Sequence, residues 1–195
     1  MVNNDNVTLF VVLDTSGSMS EMGKLATAAN MLAYVRACVR MRQGLFPFDR
    51  LTLLLWNDET RVMALDPDEA PPVLTGVGSN SLTGLTEMLQ RIVPDEAGKS
   101  RLLLLSDGNF SADELRGFKN WLIKRKRYDV RAVAVGMDAD TAALKALTPG
   151  GRVYAAAEIG NALKRWPLQE EAAKPPRRLS DLSRIAPSER VSEWA

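Results

Sequence analysis

Short apolar runs alternate with longer periodic runs along most of this 195-residue chain, and that alternation restricts the fold more than any other feature. Thr8 to Leu13 (TLFVVL) is a continuous β-branched and aromatic run, followed by a loop and then by Lys24 to Arg42, rich in Ala, Leu and Met and free of Gly and Pro. This reads as strand, loop, helix. Arg50 to Trp56 (RLTLLLW) and Arg61 to Leu65 (RVMAL) flank the polar turn NDET, too short for a crossover helix, so these two strands form an antiparallel hairpin at a sheet edge. Leu85, Met88, Leu89 and Ile92 then recur at helical spacing, and Pro94 closes that helix. The next strand is Arg101 to Leu105.

Ser111 and Glu114 have the spacing of a capping box, opening a helix with Leu115, Phe118, Trp121 and Leu122 on one side. Val130 to Val135 is a further strand, Thr141 to Leu147 a helix capped by Asp140, Arg152 to Ala155 a last short strand, and the residues around Asn161 to Arg165 a last helix. The pattern predicts an α/β fold of the doubly wound, Rossmann-like type. Six mostly parallel strands, one antiparallel edge strand and helices on both faces are expected, with any site at the carboxyl ends of the strands.

One domain is expected over residues 1–166. Residues 167–195 (ending QEEAAKPPRRLSDLSRIAPSERVSEWA) are charged, Pro-containing and thinly apolar, and read as an extension with Trp166 and Trp194 as its anchors. Apolar residues make up 46% and charged residues 25% of the chain, and no run approaches the ~18 apolar residues that span a bilayer. The start, MVNNDN, lacks the basic and apolar segments of a secretory signal, so a cytoplasmic location is expected. A net charge of +1 argues against a nucleic-acid partner, and the basic cluster Lys124 to Arg127 suits a helix C-terminus. No membrane partner is expected either.

The chain contains no histidine, which removes Ser-His-Asp and Cys-His catalysis, histidine metal ligands and histidine pH switches together. Its single cysteine, Cys38, falls within a helical pattern and reads as a small buried hydrophobe. Chemistry concentrates instead where two apolar strands end. Asp14, Ser16 and Ser18 leave the first strand at intervals of two, so a curling loop aims three oxygens at one point. A second strand ends in Asp107 and Gly108, and if the two strands are neighbours this second carboxylate faces the first loop from the protein surface. Hydroxyls and two carboxylates suit Mg²⁺, with Mn²⁺ as the close substitute. The plainer alternative is that Asp14 and Ser16 only cap a turn or the following helix.

On these residues the chain resembles the von Willebrand factor type A domains, over roughly residues 7 to 166. DTSGSM, at residues 14–19, matches the first segment of that family's metal-ion-dependent adhesion site, and SDG, at 106–108, the segment usually written Thr-Asp-Gly. The resemblance implies a central sheet with one antiparallel edge strand, and a Mg²⁺ held by five side chains from three loops. It also implies recognition of a partner protein whose Glu or Asp completes the coordination. By position Asp14, Ser16, Ser18 and Asp107 carry over. The fifth ligand is usually a threonine; matching the following helix to the family puts Ser79 of GVGSNSLTGL in its place, with Ser81 and Thr83 as alternatives. Gly76 and Gly78 would shape that loop.

The leading expectation is therefore a non-enzymatic, Mg²⁺-dependent protein-interaction module acting as an adaptor in a cytoplasmic complex, including a signalling or stress-response one. Two other readings stand beside it. One is a phosphohydrolase of the haloacid-dehalogenase type using Asp14 as nucleophile, with Asp138 and Asp140 as its later acidic pair and Ser16 where a second aspartate would be needed. The other is a partner subunit of an AAA+ ATPase in chelatase-like machinery, as some relatives of the family are.

Overall fold

The computed structural model describes residues 8–41, 46, 48, 50–66, 71–93, 100–125, 127–164 and 166. The chain runs through β1 (Thr8–Asp14), α1 (Lys24–Arg40), β2 (Arg50–Trp56), β3 (Arg61–Ala64), α2 (Leu82–Ile92), β4 (Ser100–Ser106), α3 (Ala112–Lys124), β5 (Tyr128–Ala134), α4 (Thr141–Leu147), β6 (Val153–Ala155) and α5 (Ile159–Leu163). The six strands form one sheet in the order β3-β2-β1-β4-β5-β6, parallel except for the edge strand β3. This is the doubly wound α/β architecture predicted above. Most element boundaries agree within two or three residues; α1 ends at Arg40 rather than Arg42, and α5 begins at Ile159 rather than near Asn161.

The continuous apolar character of β1 follows from burial on both faces, since successive side chains of a strand point to opposite sides. Leu9, Val11 and Leu13 join the cluster formed with Leu32, Val35 and Val39 of α1, Ile159 and Leu163 of α5, and Trp166. Phe10 and Val12 join the opposite cluster, with Leu82, Leu85 and Leu89 of α2, Phe118 and Leu122 of α3, and Leu144 and Leu147 of α4. Cys38 is buried among the first set and makes no disulfide.

Caps fix where the helices begin. Ser111 Oγ accepts from Glu114 N at 3.3 Å and donates to the Glu114 carboxylate at 3.0 Å, while the same carboxylate accepts from Leu82 N, so one glutamate serves the N-termini of α3 and α2. Asp140 accepts from Ala142 N and Ala143 N, both at 2.9 Å, at the start of α4. Trp56 is wholly buried, with its indole N–H on the Ser81 carbonyl, and Trp121 stacks on Tyr128 at 4.7 Å. Arg127, one of the cationic cluster, sits over the Tyr128 ring and donates to the Val93 carbonyl, so it serves packing. Lys126, Pro94, Trp194 and the whole 167–195 segment lie outside the described residues, and among the described residues no helix is long and apolar enough to cross a membrane.

Trp166, expected to anchor the extension, packs in the core, and the extension itself lies outside the described residues. Trp166 is 1% exposed, its Nε1 donates to Asp129 Oδ2 at 2.9 Å, the Arg131 guanidinium lies 4.4 Å above its ring, and Phe48 meets it edge-on at 5.7 Å. Arg131 in turn donates to the Ala162 and Lys164 carbonyls, tying the end of α5 to β5. Trp166→Ala leaves a large cavity and removes the cover over Arg131. It should cost about 3–5 kcal/mol in equilibrium denaturation, whereas a tail anchor would lose almost nothing.

Candidate metal centre

The strand order reverses between β1 and β4, because β1 leads outward to β2 on one side and the chain returns to β4 on the other. At such a switch point the loops leaving the two strands diverge and open a crevice at their carboxyl ends. Leu13 of β1 lies beside Leu105 of β4, which sets Asp14 next to Ser106 and brings the DTSGSM and SDG segments together.

Asp14 is completely buried. Its Oδ1 accepts from Ser16 N at 2.9 Å; its Oδ2 accepts from Ser106 Oγ at 2.6 Å and from Asn80 Nδ2 at 2.8 Å. Burial pushes this carboxyl above its ordinary range, and the hydrogen bonds from Ser106, Ser16 and Asn80 only partly oppose that. All three of these partners are neutral, so the carboxylate is withdrawn from water and faces no cation among them. Ser16 is buried and Ser18 half-buried, and their hydroxyl oxygens stand 3.3 Å apart at the mouth of the same loop. This arrangement fits a hard divalent cation, which prefers oxygen donors and would compensate the buried charge. Among the described residues no group of three or more His, Cys, Asp or Glu side chains is placed to hold a metal ion, so a cation here would depend on hydroxyl oxygens as well as carboxylate.

Asp107, expected at the surface, is 4% exposed. It follows the last residue of β4 directly and is drawn inward by Lys24, whose Nζ lies 2.9 Å from Asp107 Oδ2 and 2.7 Å from Asp138 Oδ2. Its Oδ1 accepts from Asn109 N at 3.3 Å. Burial works against the Lys24 ammonium, but the bonds and charges of Asp138 and Asp107 prevail and raise its pKa. The bond from Lys24 likewise holds the Asp138 carboxyl below its usual range.

The third loop differs from expectation. Ser79 Oγ donates to Asp58 Oδ1 at 2.5 Å and Ser79 N to Asp58 Oδ2 at 3.0 Å, so this hydroxyl is committed to the β2–β3 turn instead of to Asp14. Those two bonds also lower the Asp58 pKa. Ser81 caps α2, accepting from Gly84 N, and Thr83 lies in the first turn of that helix. Asn80, between Ser79 and Ser81, is the residue that reaches Asp14. The loop is held close to the first one: Val77 N donates to Thr15 O and Gly17 N to Gly78 O, each at 2.9 Å. A Cβ at Gly76 would stand 2.9 Å from the Ser16 carbonyl, so the close approach requires glycine there.

Asp14, Ser16 and Ser18 thus stand together on the first loop, Asp107 follows Ser106 on the neighbouring strand with its carboxylate on Lys24 and Asn109, and Ser79 is turned to Asp58. Asn80, Ser106 and Lys24 were missed by sequence reasoning. Asn80 and Ser106 stand inside segments that had already attracted attention, whereas Lys24 looked like any first-turn helix residue.

No family model and no curated protein sequence matches the chain. Solved structures do. The ArnB paralog VWA2 from Sulfolobus acidocaldarius aligns at a TM-score of 0.56 and 18% identity over 82% of this chain and 44% of its own. Proximal thread matrix protein 1 from the mussel byssus, described with a zinc-occupied MIDAS motif, aligns at 0.58 and 14% over 81% of this chain and 45% of its own. The manganese-loaded TRAP protein of Plasmodium vivax aligns at 0.58 and 16% over 83% of this chain and 74% of its own. The chain therefore spans less than half the length of the first two proteins it resembles. With the six-stranded order, the antiparallel edge strand and the helices on both faces, these likenesses identify the fold as that of the von Willebrand factor type A domains.

Proposed function

We propose that this chain is a divalent-metal-dependent protein-interaction module without catalytic activity, an adaptor in a cytoplasmic assembly that recognises a Glu or Asp of a partner protein. The observation that carries the reading is the fully buried Asp14 carboxylate met, among the described residues, only by neutral hydrogen-bond donors, beside two converging serine hydroxyls. Such a group gains most from a cation supplied from outside. Asp14, Ser16, Ser18 and Asp107 would hold the ion, with Asn80 in the third loop. Mg²⁺ is the ion we assign, with Mn²⁺ as substitute. The bound ion supplies a Lewis-acidic position for a carboxylate oxygen.

The protein's own residues prepare that position. Ser106 and Asn80 hold Asp14 Oδ2, Ser16 N holds Oδ1, and Asp58 secures the third loop through Ser79. Two proteins with this fold, the byssal matrix protein and the Plasmodium protein, are described as zinc-occupied and manganese-loaded, which supports a divalent ion here. An AAA+ ATPase or a signalling complex remains the class of assembly we put forward for the partner.

The phosphohydrolase reading receives less support from the geometry. It needs a second acid two residues after the nucleophile, where Ser16 stands, and a later acidic pair free to act. Asp138 is bound to Lys24, and Asp140 caps α4.

Calorimetric titration of Mg²⁺ into the wild type and Asp14→Ala tests the metal assignment: binding to the first and none to the second is expected, and equal binding removes it. Ser79→Ala should leave affinity within about two-fold, while Asn80→Ala, which frees an Asp14 oxygen, should weaken it about ten-fold. The opposite ranking would return the third-loop role to Ser79. For the partner, affinity capture with and without chelator, read by mass spectrometry, should give proteins that are retained only with metal and lost in Asp14→Ala.

A further inference from the structure

Lys24 is the one fully buried ammonium among the described residues, and nothing in metal-mediated recognition requires it. It is the first residue of α1, and its side chain reaches carboxylates on two other loops: Asp107 after β4, and Asp138 between β5 and α4. The path is shaped for it. A Cβ at Gly136 would stand 2.8 Å from Lys24 Cε and 3.2 Å from Cγ, so glycine leaves room for the stem of the lysine. The two carboxylates differ in kind: Asp107 is 4% exposed and belongs to the candidate metal centre, whereas Asp138 is 48% exposed and lies outside it.

We infer that Lys24 is a built-in competitor for the divalent ion: its ammonium shares Asp107 with the metal and thereby sets the affinity of the centre, and Asp138 sets how strongly Lys24 draws on Asp107. This rests on the metal reading above. Like charges repel across a few ångströms of protein interior far more strongly than in water, so an ammonium bonded to one of two carboxylates weakens the hold on a second cation. The effect also leaves the loaded centre more electron-poor, since Asp107 gives part of its charge to Lys24. That suits a site whose last ligand is an external carboxylate. Asp138 works in the opposite direction. By holding Nζ at 2.7 Å it draws the ammonium from Asp107, so its loss leaves Lys24 wholly dependent on the metal ligand.

Opposite effects of two substitutions separate this role from a merely structural one. Mn²⁺ affinity is measured by calorimetry in the wild type, Lys24→Met, Asp138→Asn and the double variant, with circular dichroism confirming the fold. Lys24→Met should bind Mn²⁺ about ten-fold more tightly and melt lower in chelator, where Asp107 is left unpaired, with a larger rise in melting temperature on adding Mn²⁺. Asp138→Asn should bind several-fold more weakly in the wild-type background and lose that effect in the Lys24→Met background. Unchanged or weaker binding in Lys24→Met overturns the proposal and leaves the metal centre standing. So does an Asp138→Asn effect that persists without Lys24, because it then acts as a direct charge. Should Lys24→Met not fold, Lys24→Gln takes its place in both backgrounds, with the same outcomes expected and the same outcomes overturning the proposal. A wild type that binds no Mn²⁺ overturns both the metal reading and this proposal.

Discussion

A carboxylate at the end of a buried strand, withdrawn from water, is the constraint around which this end of the molecule is organised. Asp14 cannot be solvated, so each of its oxygens takes hydrogen bonds from a different part of the chain: its own loop through Ser16, the neighbouring strand through Ser106, and the third loop through Asn80. These bonds draw three segments that are far apart in sequence to one point. They also leave a deficit of positive charge that neutral donors cannot remove, and the proposed cation rests on that deficit.

The strand itself makes that burial possible. β1 lies between β2 and β4 and is covered on both faces, which requires apolar residues at successive positions and leaves its carboxyl end as the first place where a polar group can stand. The crevice opens there because β2 and β4 lie on opposite sides of β1. The β2–β3 hairpin then contributes at a distance. Its turn residue Asp58 fixes Ser79, and Ser79 fixes the neighbouring Asn80, so an antiparallel edge feature supports a site built on parallel strands.

Charge is divided unevenly between the two acids. Among the described residues Asp14 has no cation partner, whereas Asp107 has one in Lys24, shared with Asp138. On the metal reading proposed above, an ion would meet one carboxylate without a charged partner and another already paired with an ammonium.

Much of this was legible in the residues alone. Continuous runs such as TLFVVL and LLLL, separated by helical periodicity, require strands buried on both faces and hence a parallel sheet, and the short NDET turn requires one antiparallel pair. Asp14, Ser16, Ser18 and Asp107 could be named as candidates because they stand at strand ends or in the loop that follows, within motifs that resemble the family's. The third loop could not be assigned in the same way. Whether Ser79, Asn80 or Ser81 turns toward Asp14 depends on Asp58, a residue 21 positions earlier that captures Ser79, and on the helix cap that occupies Ser81. Lys24 was likewise hidden, because a lysine opening a helix normally reaches into solvent, and only the arrival of Asp107 and Asp138 from loops 83 and 114 positions away draws it inside. Local spacing thus determined the fold class and the candidate residues at the strand ends, while long-range charge pairing, which exists only once the strands are side by side, decided which side chains surround them.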